Sequence, residues 1–322
     1  MKEISISVMK GFRVGNAENA EAATGCTAII CEQGAFAGVD VRGGSPASRE
    51  TELLKPINTV QQIHCVMLSG GSAFGLEAGD GAMQFLEEQG IGFETGFGKV
   101  PIVCGASLFD LELVTNKIRP DKAMGYAACR AAFEGAAVCG GNHGAGTGAT
   151  VGKFRGLDYM MNSGLGIYAV QEGEVQVAAV VAVNALGDVF DFDTKKILAG
   201  MLNSEKDGFA DTVKVLYDEI GKPKDLWGGG NTTIGCILTN AAIDKCQANK
   251  LAQIAHNGYA QAIRPVHSSA DGDTIFVMAT GEAEVGVDAL GALATEVMAR
   301  AINRAVLDAE PAYGLKAARD FL

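Results

Sequence analysis

The 322-residue chain carries 38 Asp and Glu against 26 Lys and Arg, a formal net charge of -12. That excess of acid argues against nucleic acid and anionic membrane surfaces as partners, since both select basic patches. Hydrophobic residues make up 48% and aromatics only 7%, with 43 glycines, so the core must be built from Ala, Val, Ile and Leu around tight turns and close backbone approaches.

Hydrophobic periodicity divides the chain into strands and helices with no Pro-rich or highly charged linker, which reads as one domain over residues 1–322. Thr27 to Cys31 and Ala35 to Val41, joined by Glu32, Gln33 and Gly34, read as a hairpin. Helices are expected at Leu76 to Glu88 and Gly125 to Ala137. A second hairpin runs from Gly164 to Gln171 and back from Glu174 to Val183, turning at Glu172 and Gly173. Its second arm is apolar almost throughout, as in a strand buried on both faces, and Asn184 ends it. Glu219 to Asn231, with Pro223, Trp227 and the glycine triplet Gly228 to Gly230, reads as a loop inside the domain, and an apolar strand follows it. Further on come a helix from Lys245 to Ile263 stopped by Pro265, a strand from Thr274 to Met278 and a helix from Val285 to Leu307. Antiparallel strands with amphipathic helices suit two packed sheets covered by helices outside, an α/β fold of the four-layer αββα sandwich type.

The run Gly228, Gly229, Gly230, Asn231, Thr232, Thr233 before Ile234 to Leu238 carries the most chemistry. A hydroxyl there can attack its own preceding carbonyl. Breaking the Asn231 to Thr232 bond then leaves an α-amine on the residue that bears the nucleophile, so one residue supplies nucleophile and base. The same run also fits an ordinary loop entering a strand. Thr233 points to the opposite face from Thr232, so only one of them can share a site.

Asp271, Gly272 and Asp273 precede the strand at Thr274. Carboxylates at i and i+2 of an extended chain share a face and can orient a hydroxyl or hold an ammonium, although a plain polar turn has the same pattern. Calcium binding would need more oxygen ligands than this stretch offers. Asn184 places an amide at a strand end, either to stabilise an oxyanion or to make a turn. The run GNHGAGTGATVGK fails the P-loop pattern but leaves Lys153 as a cation for a carboxylate or for the nucleophile, or as a solvent-exposed lysine. LSGGSAFG puts Phe74 where a GxSxG elbow needs glycine. The four histidines show no metal spacing, and His256 reads as a structural residue of its helix.

Taken together, these residues resemble the P1 family of N-terminal aminopeptidases (peptidase family S58), which includes L-aminopeptidase D-Ala-esterase/amidase, β-peptidyl aminopeptidases and nylon-oligomer hydrolases. The resemblance rests on ordered runs along nearly the whole chain: TGCTAII, GVDVRGGSP, LSGGSAFGLEAGDG, VPIVCGASLFD, RPDKAMGY, VNALGD, GNTTIGCILTNA, LAQIAHNGYAQAIRPVH and DGDTIF. It implies an αββα fold shared with ornithine acetyltransferases, self-cleavage into residues 1–231 and 232–322, and a homo-oligomer of the paired segments. It makes Thr232 the nucleophile and Asn184 an oxyanion donor, and it matches Asp271, Asp273 and Lys153 to supporting residues of the nylon-hydrolase branch. Phe109 stands where several members carry a substrate-contacting tyrosine, which removes a hydroxyl from the pocket.

The mechanism implied is an N-to-O acyl shift at Asn231 and Thr232, followed by hydrolysis of small peptides or amides through a Thr232 acyl-enzyme, with no metal or organic cofactor. Two other readings remain: acyl transfer of the ornithine acetyltransferase type, with an amine in place of water, and a non-catalytic small-molecule-binding protein. No apolar run approaches the roughly 18 residues of a membrane span. The N-terminus MKEISISVMKGF has no signal-peptide core, and eight cysteines without CxxC spacing suit a reducing compartment, so the expected location is cytoplasmic.

Overall fold

Alternation along one strand shows the layering most directly. In β6 (Val175–Asn184) the side chains of Val177, Ala179, Val181 and Val183 join one buried cluster, while Ala178, Val180 and Ala182 join another. The strand therefore has core on both sides, as its nearly unbroken apolar sequence requires. The computed structural model describes residues 1–221 and 230–322 of the chain.

Seven long strands lie in the order β5 (Leu165–Glu172), β6, β7 (Thr232–Ala241), β8 (Thr274–Ala283), β2 (Thr24–Val41), β3 (Gln62–Ser69) and β4 (Val103–Ser107). Short strands Lys2–Glu3 and Ser48–Arg49 close the two edges, and β1 (Arg13–Asn19) pairs with β2. Helices α4 (Lys245–Ala262) and α5 (Val287–Leu307) cover the outer face of the β5 to β8 layer. Helices α1 (Ala78–Glu88) and α2 (Lys122–Glu134) cover the outer face of the β2, β3 and β4 layer. Between the layers lies a cluster that includes Ile29, Val66, Leu68, Val180, Cys236 and Phe276. A short α3 (Thr212–Asp218) starts where the buried Asp188 carboxylate accepts the Thr212 N–H at 2.7 Å.

The hairpin expected between Thr27 and Val41 does not form. Both halves belong to the single strand β2, whose register on β3 shifts between Ile30 and Ala35. The first half pairs with β1 and β3, and the second, from Phe36 to Val41, pairs with β8. Glu32, Gln33 and Gly34, with Gly34 at φ +83, bend the strand instead of reversing it, and β2 passes from one layer of the sandwich to the other. The second hairpin forms as read, with Gly173 in its turn at φ +58. Helix α2 begins earlier than its apolar pattern indicates, because Asp121 caps it by accepting the Met124 N–H at 2.9 Å, and it stops at Gly135. A capping box between Asp244 and Gln247 starts α4.

The high glycine content has a packing reason at the helix contacts. A Cβ on Gly38 of β2 would lie 2.3 Å from the Ala248 backbone of α4, and one on Gly166 of β5 would lie 1.9 Å from the Ala301 carbonyl of α5. Helix backbone rests directly on strand backbone at these points, and a backbone neighbour cannot swing aside. Gly166→Val should therefore lower unfolding stability by about 3 kcal/mol, the upper part of the overpacking range, read as a fall in the urea midpoint. A wild-type midpoint would show that α5 can lift away from the sheet.

Candidate active site

Strand β7 is central, antiparallel to β6 on one side and parallel to β8 on the other, with Thr232 paired opposite Asn184. Thr232 is only 5% exposed, yet it lines a cleft of about 630 Å³ together with Ser45, Ser107, Phe109, Leu111, Glu112, Gly230 and Asn231. Gly228 and Gly229 of the glycine triplet lie outside the described residues.

At the junction the Thr232 hydroxyl donates to the carbonyl oxygen of Asn231, the residue before it. The Gly272 N–H donates to the same oxygen at 3.0 Å, and Asn231 forms a parallel bridge with Asp271. A Cβ on Gly272 would come within 2.8 Å of Thr232 Oγ1, so only glycine lets this backbone approach the hydroxyl so closely.

Asn184 is fully buried at the end of β6. Its Oδ1 accepts from Lys153 Nζ at 2.6 Å, Thr150 N at 3.1 Å and Thr150 Oγ1 at 3.4 Å. Three donors on one oxygen fix the orientation of the amide, and Nδ2 is left to donate to the carbonyls of Phe109 at 2.9 Å and Gly230 at 3.3 Å. Lys153 Nζ also donates to the Gly230 carbonyl, at 3.0 Å. Two donors from different segments thus converge on one carbonyl oxygen inside the cleft.

Lys153 is 7% exposed rather than solvated. Burial pushes its pKa down, and Glu112, at 3.6 Å, opposes that shift. Asp110 holds the Phe109 to Glu112 loop by accepting from Thr24 Oγ1 at 2.6 Å and from the Gly71 N–H at 2.7 Å. Its own burial raises its pKa to about 6. The ring of Phe109 lies so close to Gly230 that a Cβ there would fall 2.3 Å from Cγ.

Asp271 and Asp273 are both buried at the junction, but they take different partners. Asp273 Oδ1 accepts the Thr233 N–H at 2.8 Å, and Oδ2 accepts the N–H of His267 at 3.0 Å and its Nδ1 at 2.8 Å. Asp271 accepts the Ser268 N–H at 2.5 Å. Burial, and then the nearby Asp273 carboxylate, raise Asp271 to about 6. Sequence reasoning assigned nothing to Glu112, Tyr259 or His267; the first two reach the site by contacts distant in the chain, and His267 through Asp273 six residues on. Gly272 had a visible signal, a glycine between two aspartates, without any indication that its N–H meets Asn231. Among the described residues no group of three or more His, Cys, Asp or Glu side chains is arranged to hold a metal ion. None of their helices is long and apolar enough to cross a membrane.

The model of peptidase family S58 matches residues 5–319. An uncharacterized aminopeptidase of Mycobacterium tuberculosis is 36% identical over 98% of this chain and 97% of its own length. A 6-aminohexanoate-oligomer endohydrolase of a Kocuria species is 32% identical over 92% of this chain and 84% of its own. Among solved structures, a Burkholderia β-aminopeptidase superposes with a TM-score of 0.67 at 21% identity, covering 95% of this chain and 86% of that one. The L-aminopeptidase D-Ala-esterase/amidase of Ochrobactrum anthropi, described as a variant of the Ntn hydrolase fold, gives 0.66 at 16% identity with the same coverage. These two likenesses show the sandwich fold, and the family match favours hydrolysis over acyl transfer or ligand binding alone. On the family model and the full-length relatives, the chain belongs to peptidase family S58, hydrolases acting on peptide or amide bonds.

Proposed function

We propose that the chain cuts itself between Asn231 and Thr232 into segments 1–231 and 232–322, and that Thr232 then acts as an N-terminal nucleophile on small peptides or oligomeric amides. The observation that carries this reading is the placement of the Thr232 hydroxyl on the Asn231 carbonyl while the Gly272 N–H polarises the same oxygen. Attack of Oγ on the carbonyl carbon forms an ester as the C–N bond breaks, and the hydroxyl proton ends on the departing Thr232 nitrogen. Water then splits the ester, leaving an Asn231 carboxylate, a free hydroxyl and an α-amine.

The new carboxylate lies beside the buried Asp271 and repels it, which favours withdrawal of the Gly230 and Asn231 segment. That withdrawal frees Asn184 Nδ2 and Lys153 Nζ, both occupied in the intact chain by the Gly230 carbonyl. They become donors for a substrate carbonyl or its oxyanion. The α-amine, with a reference pKa of about 7.7 to 8.0, takes the Thr232 hydroxyl proton in each turnover, and Asp271 and Asp273 hold its ammonium form in place. Relatives named aminopeptidase and 6-aminohexanoate-oligomer endohydrolase support short amides as substrates, and Phe109 and Leu111 suit apolar spacers. The family likeness and the thiol-rich composition support a cytoplasmic homo-oligomer of paired segments.

Intact-mass analysis tests the cut. The wild type should give two fragments and Thr232→Ala a single mass near 33.3 kDa; an uncut wild-type chain after prolonged incubation sinks the reading. In the cut enzyme, Asn184→Ala should lower kcat by about 10² to 10³-fold, the cost of losing one oxyanion donor; an unchanged kcat would remove Asn184 from the reaction. Turnover should also fall in two steps as pH drops, first where the α-amine takes up a proton, at about 7.7 to 8.0, and again through about 6, where the raised Asp271 takes up a proton and stops being a carboxylate. Loss of the lower of the two limbs in Asp271→Asn would assign it to this residue rather than to Asp110, and persistence of that lower limb would refute the assignment.

A further inference from the structure

We infer that Tyr259, His267 and Asp273 form an anchor that keeps Thr232 in position after the chain is cut, with His267 as a positioning residue acting through Asp273. This rests on the reading that Thr232 becomes a chain terminus. In the intact chain Thr232 is tethered from both sides. Its preceding residue is bonded to Gly272 N at 3.0 Å and bridged to Asp271. Hydrolysis removes that side, and the first residue of a strand frays unless something else ties it down.

What remains, besides the pairing of β7 with β6 opposite Asn184, is the main chain of Thr233, and it is clamped on both sides of its Cα. Its N–H donates to Asp273 Oδ1 at 2.8 Å. Its carbonyl accepts from the Tyr259 hydroxyl at 3.3 Å, a hydroxyl shared with the Thr274 carbonyl at 3.3 Å, so the clamp also joins β7 to β8. The free oxygen of Asp273 is held by the main-chain N–H and the ring Nδ1 of His267. The two arms touch, because the His267 ring stacks on Tyr259 with centroids 6.0 Å apart and meets His256 edge-on at 4.8 Å. His267 has φ +60, a backbone state that non-glycine residues keep only where their surroundings over-determine it. Tyr259, His267 and Asp273 are not among the residues lining the cleft, so the anchor acts on the nucleophile's peptide and not on substrate.

An anchor of this kind separates two events that a merely structural role would couple. Self-cleavage, which occurs while both tethers are present, should survive its loss, and turnover should not. His267→Gly removes the ring donor without opposing the positive φ, while His267→Asn keeps a donor near the Nδ1 position and tolerates that backbone. Each variant is compared with wild type by intact mass, by deuterium uptake of the peptide starting at Thr232, and by steady-state kinetics on amino-acyl p-nitroanilides and 6-aminohexanoate oligomers. For His267→Gly we expect complete cleavage, faster exchange at the start of β7 and a kcat lower by about 10- to 100-fold, the scale of a misplaced reacting group. KM should change little, and His267→Asn should recover most of the loss. If His267→Gly is insoluble, Tyr259→Phe, which deletes only the hydroxyl, must show the same split. Wild-type exchange and kcat, failure to cleave, or an Asn variant no better than the Gly variant would each overturn the anchor. An uncut wild type would remove the anchor together with the reading beneath it.

Discussion

The hydrogen bond from the Gly272 N–H to the Asn231 carbonyl, at 3.0 Å, is the contact on which the junction geometry depends. It carries the pairing of β7 and β8 back from Ile234 and Thr274 to the parallel bridge of Asn231 with Asp271, so the carbonyl before the strand is held by the neighbouring backbone as well. A side chain at 272 would push the two backbones apart at the Thr232 hydroxyl. The glycine between two aspartates thus serves close approach, and the aspartates occupy the positions that approach creates. Because β7 is also paired with β6, Thr232 and Asn184 face each other by register, with no loop between them to loosen the distance.

A buried lysine raises the question of what offsets its desolvation. Lys153 gives up water for bonds to the Asn184 amide oxygen and the Gly230 carbonyl, with Glu112 as its counter-ion at 3.6 Å. Burial lowers its pKa, and the carboxylates of Glu112, Asp110 and Asp271 act the other way. An isolated ammonium in such a place would lose its proton, whereas one placed among acids and carbonyls can remain a donor. The acids face the converse problem. Asp271 and Asp110 are both raised by burial, and Lys153 is a source of positive potential for Asp110. Removing any one of these charges therefore alters the others.

Much of the fold was legible wherever a local pattern determines the element. The apolar second arm of the β5 and β6 hairpin, the helix stopped before Pro265, and the strand opening at Thr232 each depend on neighbours in sequence. The bend in β2 was not legible, because Glu32, Gln33 and Gly34 have turn composition whether the chain reverses or merely kinks. Only the distant strands β3 and β8 decide between the two. The site divides in the same way. Thr232, Asn184 and the two aspartates announce themselves by residue type at a strand end. Tyr259 reaches Thr233 across 26 residues from inside a helix whose apolar pattern gives it a core role, and His267 follows a proline in a segment without periodicity.

The same geometry suits one cleft to both proposed reactions, the cut and the turnover that follows it. In the intact chain the donors Asn184 Nδ2 and Lys153 Nζ meet the Gly230 carbonyl, one residue before the bond next to Thr232, while the Asn231 carbonyl is met by Gly272. The chain's own segment therefore fills both carbonyl positions, and Phe109 packs over Gly230. None of these donors lies on the segment proposed to depart: Gly272 is on the loop before β8, Asn184 ends β6, and Lys153 follows the Thr150–Val151 strand. Removing residues 230 and 231 from the cleft takes away the occupant and leaves the donors supported by the sheet. Under the proposed cut, preorganisation comes from the scaffold and not from the severed segment, so breaking the backbone before Thr232 need not loosen the rest of the site.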